Sequence, residues 1–414
     1  MSVKGQHIAV IGGGLIGASA AVRLQQAGAQ VTLIDPGQER DRASFGNAGH
    51  IVIESAEPLT SWAQVRSAPG RLFGMGGPLD FRLGDITLWG PWALRYLIAC
   101  KPSRFRAGTA ALGALLERAI PAWHALAVDI GRPDLVQDVG YFHLWESEAS
   151  AQRGLIDLAH ADLGPGRYRP IDMAELEQMQ ALFDGRPQGG AYFENTAKLA
   201  DPGQTVEALW SAFAAAGGQA IIGTVDRLED GPNRIQVRLR DGLSLTPDQI
   251  LVAAGARSAR LMRHLGAKAP LVAERGYHLH FPEHDWPEDL KPILFADRFI
   301  YLTRFNSGAR ATSFTEIGRP DAPPDPRKWA ALKRQLAELK APVRGDGVPW
   351  MGCRPTLPDF LPAIGRLSPR ALYALGHQHI GATLAAATAE AVMDLVETDA
   401  TPSRLNMFDI RRFN

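Results

Sequence analysis

Cysteine is scarce in this chain of 414 residues, in which only Cys100 and Cys353 occur. Two cysteines cannot build a disulfide framework or an iron–sulfur cluster, and we expect no metal site. An excess of charge of either sign is also missing, because 44 basic residues balance 44 acidic ones. This balance gives no electrostatic argument for a nucleic-acid partner. The hydrophobic content of 46% is ordinary for a globular protein.

Long apolar runs are missing as well. The nearest candidate for a membrane span, residues 86–100, contains Gly90-Pro91 and Arg95 and is too short to cross a bilayer. Its aromatic side chains and the basic residues after it suit contact with a membrane surface, but we favour a buried helix. Because a strand begins within the first ten residues, we expect no cleavable signal peptide. We predict a cytoplasmic protein, with association with the inner face of the membrane as the alternative.

The first 35 residues have the pattern of a dinucleotide-binding βαβ unit. A strand-like stretch, His7 to Ile11, leads directly into a G-x-G-x-x-G motif at residues 12–17. That motif opens an Ala-rich helix that ends at Gly28, and a second strand follows at Val31 to Ile34 with Asp35 at its end. All parts of the fingerprint are therefore in register.

Each residue of such a fingerprint has a physical role. Gly12 allows the tight turn, Gly14 lets the backbone approach a pyrophosphate, and Gly17 lets helix and strand pack closely. The pyrophosphate meets free N–H groups at the start of the helix. Asp35 is placed to accept hydrogen bonds from a ribose hydroxyl. The sequence therefore predicts a bound dinucleotide.

Alternation of strand and helix returns in two later parts of the chain. Residues 201–256 predict a helix, a strand, a hairpin and a buried strand that ends in Ala-Ala-Gly. Residues 352–396 combine a stretch punctuated by Gly and Pro with a strand and an Ala-rich helix. Residues 270–316, between these two parts, are β-rich. Earlier in the chain, the spacing of apolar residues from Leu112 to Val128 predicts an amphipathic helix interrupted at Pro121.

We therefore predict an α/β fold, α+β overall, in which a Rossmann-like domain is assembled from discontinuous segments and carries a β-rich substrate-binding domain. The cofactor-binding domain comprises residues 1–78, 196–265 and 352–405. The substrate-binding domain comprises residues 79–195 and 266–351. Residues 406–414 form a C-terminal tail.

Several motifs in chain order carry a resemblance to a known family. They are the G-x-G-x-x-G motif with its strand-end acid, Phe-Gly-Asn-Ala-Gly at 45–49, Ala-Ala-Gly-Ala at 253–256, Gly-Cys-Arg-Pro-Thr-Leu-Pro-Asp at 352–359, and a Gly-rich loop before the last helix. With this combination the chain resembles the D-amino-acid oxidase-like FAD oxidoreductases over essentially its full length. Within them it is most similar to bacterial D-amino-acid dehydrogenases. The loop at 376–383 and the stretch at 354–359 are most similar to the branch that acts on 4-hydroxy-D-proline and D-proline.

The resemblance implies that the Rossmann-like domain binds FAD. The implied cofactor-binding residues are Gly12, Gly14, Leu15, Ile16, Gly17, Asp35, Pro36, Ser44, Asn47, Ala48, Gly49, Val225, Ala254, Gly255, Arg354, Gly381, Ala382 and Thr383. The last three begin a helix whose N-terminus would stabilise negative charge on the reduced flavin. Cys353 is one residue out of register with the cysteine that holds flavin covalently in some relatives, so we expect non-covalent FAD.

The resemblance also implies roles in substrate binding and catalysis. Arg354 matches the family arginine that pairs with the substrate carboxylate, a geometry that a planar guanidinium suits. Tyr277 matches a family tyrosine near the substrate, and a place in the core is its alternative. His50 and His379 are candidates for bonding a 4-hydroxyl group or assisting amine deprotonation, with a structural role as the alternative for each.

The implied reaction is hydride transfer from Cα of a D-amino acid or cyclic D-imino acid to flavin N5. The preferred substrates are cis-4-hydroxy-D-proline and D-proline, and the product is an imine such as Δ1-pyrroline-2-carboxylate. Three alternatives stay open: another flavin amine oxidase acting on glycine, sarcosine or an opine, a NAD-dependent dehydrogenase, and a flavin-carrying electron-relay subunit. The electron acceptor is a quinone, oxygen or a partner protein.

Overall fold

The structure, a computed structural model, describes residues 3–38, 41–398 and 400–414. Its α-helices are α1 (Leu15–Gln26), α2 (Trp62–Ser67), α3 (Ile86–Ala99), α4 (Pro102–Leu116), α5 (Ala119–Asp129), α6 (Glu148–His160), α7 (Met173–Leu182), α8 (Pro202–Ala215), α9 (Ser258–His264), α10 (Pro326–Glu338) and α11 (Gly381–Thr398). Its first strands are β1 (His7–Ile11), β2 (Gln30–Asp35), β3 (His50–Ile51), β4 (Leu79–Phe81), β5 (Val136–Gln137), β6 (Tyr141–Trp145), β7 (Tyr168–Pro170), β8 (Gly189–Phe193), β9 (Ala197–Leu199) and β10 (Gln219–Ile222). The later strands are β11 (Val225–Asp230), β12 (Ile235–Leu239), β13 (Ser244–Leu245), β14 (Gln249–Val252), β15 (Val272–Phe281), β16 (Ile293–Phe295), β17 (Ile300–Phe305), β18 (Gly308–Gly318), β19 (Val348–Thr356), β20 (Ala363–Ser368) and β21 (Ala371–Leu375).

A six-stranded sheet forms the centre of the nucleotide-binding part. Its order is β10-β2-β1-β14-β21-β20, and every neighbouring pair is parallel except β20 with β21. Helices α1, α8 and α11 cover one face, while α9 and the hairpin strands β11 to β13 pack on the other. Small buried residues on α1, among them Ala18 and Ala21, let the helices lie close to one another and to the sheet. The predicted α/β fold is confirmed.

A nine-stranded mixed sheet forms the second part. Its order is β19-β15-β18-β17-β16-β6-β8-β7, and β4 pairs with β18 beside this path. One face is apolar: Phe142, Leu279 and Phe295 pack there against Leu332 and Leu336 of α10. The opposite face carries the polar residues His278, Thr303 and Arg310, which contact residues 46–50 of the nucleotide-binding part. Strand β19 lies at one edge of the sheet.

One predicted local feature differs from the structure, and one predicted domain boundary divides a strand. The Gly/Pro-rich stretch at 352–356 forms the second half of β19, which therefore crosses residue 352, the start of a predicted domain segment. The helical break in 112–128 comes at Glu117 and Arg118, before Pro121 rather than at it. Pro121 sits in the first turn of α5, where its missing N–H has no helical partner to lose. The domain division itself stays a prediction.

Helix α3 is more exposed than we expected. Only Trp92 and Ala99 of its residues are buried, whereas the outward face carries Ile86, Leu94 and Ile98 with 53%, 66% and 45% of their surface exposed. The expectation of a buried helix was wrong, because one aromatic edge alone contacts the protein. Within the described residues, no helix has both the length and the apolarity needed to cross a bilayer.

Candidate functional site

The turn between β1 and α1 has the shape of a phosphate cradle. Gly12 adopts a left-handed φ of +109°, and a Cβ there would overlap the carbonyl group of Ala253. A Cβ on Gly17 would overlap the carbonyl oxygen of Gly12, so helix and turn approach as closely as backbone allows. Gly14 faces only the hydroxyl of Ser44, which accepts a hydrogen bond of 3.0 Å from the Leu15 N–H. The cradle therefore fits a dinucleotide pyrophosphate.

Asp35 lies buried at the end of β2, next to this turn. Its carboxylate accepts hydrogen bonds from the N–H groups of Gly13 (2.7 Å) and Gly37 (2.9 Å) and pairs with Arg42 at 2.8 Å. Trp210 donates from Nε1 to the Gly13 carbonyl at 2.9 Å and lies 5.0 Å from the Arg42 guanidinium. Gly37, Arg42 and Trp210 line a cavity of about 320 Å³. Sequence reasoning missed Arg42 and Trp210, although a basic residue shortly after the ribose-binding acid was a visible signal.

The loop that follows joins the cradle to the second sheet. Asn47 accepts a hydrogen bond from the Gly49 N–H at 2.7 Å through its side chain, and its carbonyl accepts one from Arg310 at 2.6 Å. His278 contacts the Gly46 carbonyl at 3.0 Å. Burial lowers the pKa of Arg310 to about 10. The loop is therefore held against the polar face of the nine-stranded sheet.

The start of α11 meets the same segment of chain. The Thr383 hydroxyl accepts a hydrogen bond from the Val52 N–H at 3.1 Å and donates to the His50 carbonyl at 3.4 Å. The first N–H groups of an α-helix have no helical partner, so Gly381 and Ala382 offer donors at this junction. Such donors suit the edge of a flavin that becomes negative on reduction.

The other predicted cofactor residues surround these two helix starts. Ala254 and Gly255 follow β14 at the edge where β1 and β2 also end, and Val225 begins β11. The remaining positions, Ile16, Pro36 and Ala48, lie in α1, directly after β2, and in the 45–49 loop. The predicted residues that follow β1, β2 and β14 thus lie at the carboxyl edge of the parallel sheet, the edge where α/β proteins bind ligands.

Strand pairing decides which side chains share the polar face of the second sheet. Glu274 on β15 pairs with Arg354 on β19, and His278 pairs with Thr312 on β18, which pairs in turn with Tyr301 on β17. Directly paired residues lie on the same face of a sheet. Glu274, Arg354, His278 and Tyr301 therefore all face the nucleotide-binding part.

Arg354 is partly buried and only loosely held. Its Nη1 lies 3.4 Å from Glu274 Oε1 and 3.4 Å from the Thr315 hydroxyl. The Glu274 carboxylate accepts further hydrogen bonds from Thr356 (2.7 Å) and Thr315 (3.2 Å). Among the described residues, none bonds Nε or Nη2 of Arg354, so one full edge of the guanidinium is free for a carboxylate.

His379 and His50 both lie in this region. Buried Nδ1 of His379 has no hydrogen-bond partner among the described residues. Burial lowers the pKa of His379, Arg354 lowers it further, and Glu274 opposes both. His50 bonds Thr303 at 2.7 Å through Nε2, and burial lowers its pKa to about 3. Both rings are therefore neutral near pH 7.

Tyr277 lies elsewhere. Together with Cys353 it occupies the opposite face, where its hydroxyl bonds Glu316 and accepts from the Asp325 N–H at 3.1 Å. The structure does not bring Tyr277 to Arg354, because residues adjacent in a strand point to opposite faces. Tyr301 lies on the polar face, and burial raises its pKa to about 12.

Sequence reasoning also missed Glu54 and Tyr141, two further residues of this region. Glu54 follows β3, and its Oε1 accepts a hydrogen bond of 2.8 Å from the hydroxyl of Tyr141. The His50 ring lies 5.7 Å from that of Tyr141 and 5.4 Å from that of Tyr301. No local motif marked these residues, since the strands that bring them together are far apart in the chain.

Comparison with known proteins agrees with this geometry. The family model described as "DAO: FAD dependent oxidoreductase" matches residues 7–395. A D-amino-acid oxidase of Bradyrhizobium diazoefficiens is 31% identical over 99% of both sequences, and a D-amino acid dehydrogenase of Helicobacter pylori is 25% identical over 95% of this chain and 96% of its own. The solved structure of glycine oxidase from Geobacillus kaustophilus shares the fold, with a TM-score of 0.72 at 19% identity over 98% of each chain. The predicted FAD cofactor is thereby confirmed, and the chain belongs to the DAO family of FAD dependent oxidoreductases.

Proposed function

We propose that this protein oxidises a D-amino acid or cyclic D-imino acid at Cα, with cis-4-hydroxy-D-proline and D-proline as preferred substrates. The observation that carries the proposal is the free guanidinium edge of Arg354 on the polar sheet face. Two relatives bear the names D-amino-acid oxidase and D-amino acid dehydrogenase, which supports the reaction class. The choice of proline-type substrates rests on the resemblance of residues 354–359 and 376–383 to that branch.

Arg354 orients the substrate. A carboxylate bound to Nε and Nη2 forms two parallel charge-assisted hydrogen bonds, which fix the plane of the carboxylate and therefore the face that Cα presents. Glu274 holds the opposite edge of the guanidinium through Nη1 and limits its rotation. FAD, when bound, supplies the acceptor for the hydride that leaves Cα.

The histidines keep the site free of extra positive charge. As the hydride leaves, the lone pair on the substrate nitrogen forms a double bond to Cα, and positive charge grows on nitrogen. A protonated imidazole nearby would repel that charge. Burial lowers the pKa values of His50 and His379, so both rings are neutral near pH 7. They therefore do not repel the positive charge that grows on the substrate nitrogen.

Anaerobic bleaching of the flavin near 450 nm tests the proposal. The panel contains cis-4-hydroxy-D-proline, D-proline, D-alanine, sarcosine, glycine and an opine. We expect rapid bleaching by the cyclic D-imino acids, and a loss of at least about a hundredfold in Arg354→Met, because a bidentate charge-assisted pair disappears. Arg257→Met is the matched control, since Arg257 is exposed and pairs with Asp321 at 3.2 Å.

The alternatives give different results in the same experiment. Bleaching by glycine or sarcosine but not by the D-imino acids would identify another amine oxidase of this fold. A holoenzyme that no amine bleaches would refute the proposed reaction and favour an electron-relay subunit.

We further propose that α3 rests on an anionic membrane surface, where a quinone is the electron acceptor. Its outward face carries the exposed residues Ile86, Leu94 and Ile98 and no charged side chain. Basic residues follow immediately, with Lys101, Arg104 and Arg106 all exposed. An apolar helix face bordered by cations matches the boundary between lipid tails and anionic headgroups.

A further inference from the structure

The carboxylate of Glu54 is buried in this site with one oxygen unused. Oε1 accepts the hydrogen bond from Tyr141, whereas Oε2 is shut off from solvent and has no hydrogen-bond partner among the described residues. Among the described residues, Glu54 also forms no ion pair. A buried acceptor without a partner costs stability, so its persistence suggests a role that the isolated protein does not reveal.

The surroundings of Glu54 belong to the polar face on which Arg354 lies. Tyr141 shares that face because His143, two residues later on β6, aligns through Leu294 with Tyr301. Tyr301 feels both charges, since Glu54 raises its pKa and Arg354 lowers it. Glu54 and Arg354 therefore face the same region from two sides of Tyr301.

The order of strands separates the two charges. Arg354 is on β19 and Tyr141 on β6, with β15, β18, β17 and β16 between them. Neighbouring strands are about 4.8 Å apart, so the axes of β19 and β6 are roughly 24 Å apart, and the long side chains of Arg354 and Tyr141 cover part of that distance. Glu54 therefore faces the end of a substrate that is remote from the carboxylate bound to Arg354.

We propose that Glu54 is a specificity-determining residue, whose free Oε2 accepts a hydrogen bond from a donor on the side chain or ring of the substrate. The donor is a hydroxyl or an ammonium group. This inference rests on the proposed function, in which Arg354 binds the carboxylate. Burial raises the pKa of Glu54 to about 7, so the carboxylate is available to such a donor above neutral pH.

Binding of carboxylates that cannot be oxidised provides the test. Benzoate, 3-hydroxybenzoate and 4-(aminomethyl)benzoate are titrated into the FAD-loaded enzyme at pH 8 and followed by the flavin absorption spectrum. We expect at least one donor-bearing probe to bind about tenfold tighter than benzoate, as for a hydrogen bond to a charged group. In Glu54→Gln that preference should disappear, while the affinity for benzoate stays within about twofold.

The two donor-bearing probes separate a hydroxyl from an ammonium preference. Glu57→Gln is the matched control, because Glu57 lies in the same segment but accepts its bond from the Asp162 N–H at 2.9 Å. Flavin content and melting temperature show whether each variant folds. If Glu54→Gln does not fold, Glu54→Asp keeps the charge and should retain part of the preference.

Turnover distinguishes the two proposals. Wild-type enzyme should prefer cis-4-hydroxy-D-proline to D-proline in kcat/KM, and Glu54→Gln should reduce that ratio about tenfold. Equal probe ratios in wild type and Glu54→Gln would overturn the role of Glu54. A wild type that oxidises no amine yet retains a donor preference abolished by Glu54→Gln would refute the proposed reaction while supporting the subsite.

Discussion

Replacing His377 by asparagine should make the free energy of unfolding fall less when the pH is lowered from 7 to 5. His377 is fully buried just before α11, where Nε2 contacts the Thr388 hydroxyl at 3.0 Å, and burial lowers its pKa to about 3. The native ring stays neutral at pH 5, whereas a histidine of the unfolded chain, with a pKa of about 6.5, is protonated there. The contribution is present above pH 6.5 and is lost as the pH falls towards 3.

The magnitude follows from proton linkage. Between pH 7 and pH 5 the unfolded chain gains nearly one proton at this position that the native protein does not bind, which lowers the free energy of unfolding by about 2 kcal/mol. Other titrating groups, including His50 and Glu54, contribute equally to wild type and variant. The difference between the two proteins therefore isolates His377.

Urea unfolding at pH 7 and pH 5, at constant ionic strength and with excess FAD, measures this difference. We expect His377→Asn to lose about 2 kcal/mol less than wild type over that pH interval. His160→Asn, at an exposed position on α6, should behave like wild type. If wild type and His377→Asn lose the same free energy, burial does not keep this imidazole neutral and the reasoning fails.

Two further predictions concern the cofactor cradle and the surface of α3. Gly17→Ala should lower the fraction of purified protein that carries FAD at least fivefold, because the new Cβ would overlap the Gly12 carbonyl oxygen and displace α1, as the ratio of absorbance at 450 nm to that at 280 nm will measure. The double variant Leu94→Glu with Ile98→Glu should lose flotation with vesicles that contain anionic phosphatidylglycerol, since each substitution places a charge on the apolar face of α3.

Matched controls accompany both predictions. Gly70→Ala should retain its flavin, because a Cβ there meets no atom within 4 Å. Ile156→Glu changes an equally exposed apolar residue on α6 and should float like wild type. Wild type that fails to float but elutes as a dimer, with the α3 double variant monomeric, would assign the surface to a second copy of the chain instead.

Local signals were enough to predict the nucleotide-binding half. The turn at 12–17, Asp35 and the helix between them lie within about 30 residues, the length of one supersecondary unit, so their geometry follows from nearby sequence. The family and its FAD cofactor were predicted from this unit together with the motifs at 45–49, 253–256, 352–359 and 376–383, and both are confirmed. The roles of individual residues stay predictions.

The second sheet was harder to predict because its partners are distant in sequence. No strand was predicted at 348–356, which contains Pro349 and Pro355, but an edge strand tolerates proline, since one side of its backbone needs no hydrogen-bonded neighbour. Nearly all of β15 is buried, with polar residues on both faces, so its polarity does not alternate. That pattern could not indicate that Glu274 faces the site while Tyr277 faces the core.

Because β19 is an edge strand, the length of the segment before it influences which of its side chains face the site. Arg354 reaches the polar face only in the present register with β15, and a slip of one residue would present Cys353 or Pro355 there instead. Among the described residues β15 is the one strand that pairs with β19 in the sheet, and a bridge between Thr356 and His377 adds a backbone contact at its end. The length of residues 339–347, between α10 and β19, therefore influences the register in which β19 pairs with β15. An insertion or deletion of one residue that shifted this register would remove the proposed substrate anchor, Arg354, from the polar face as completely as mutating it.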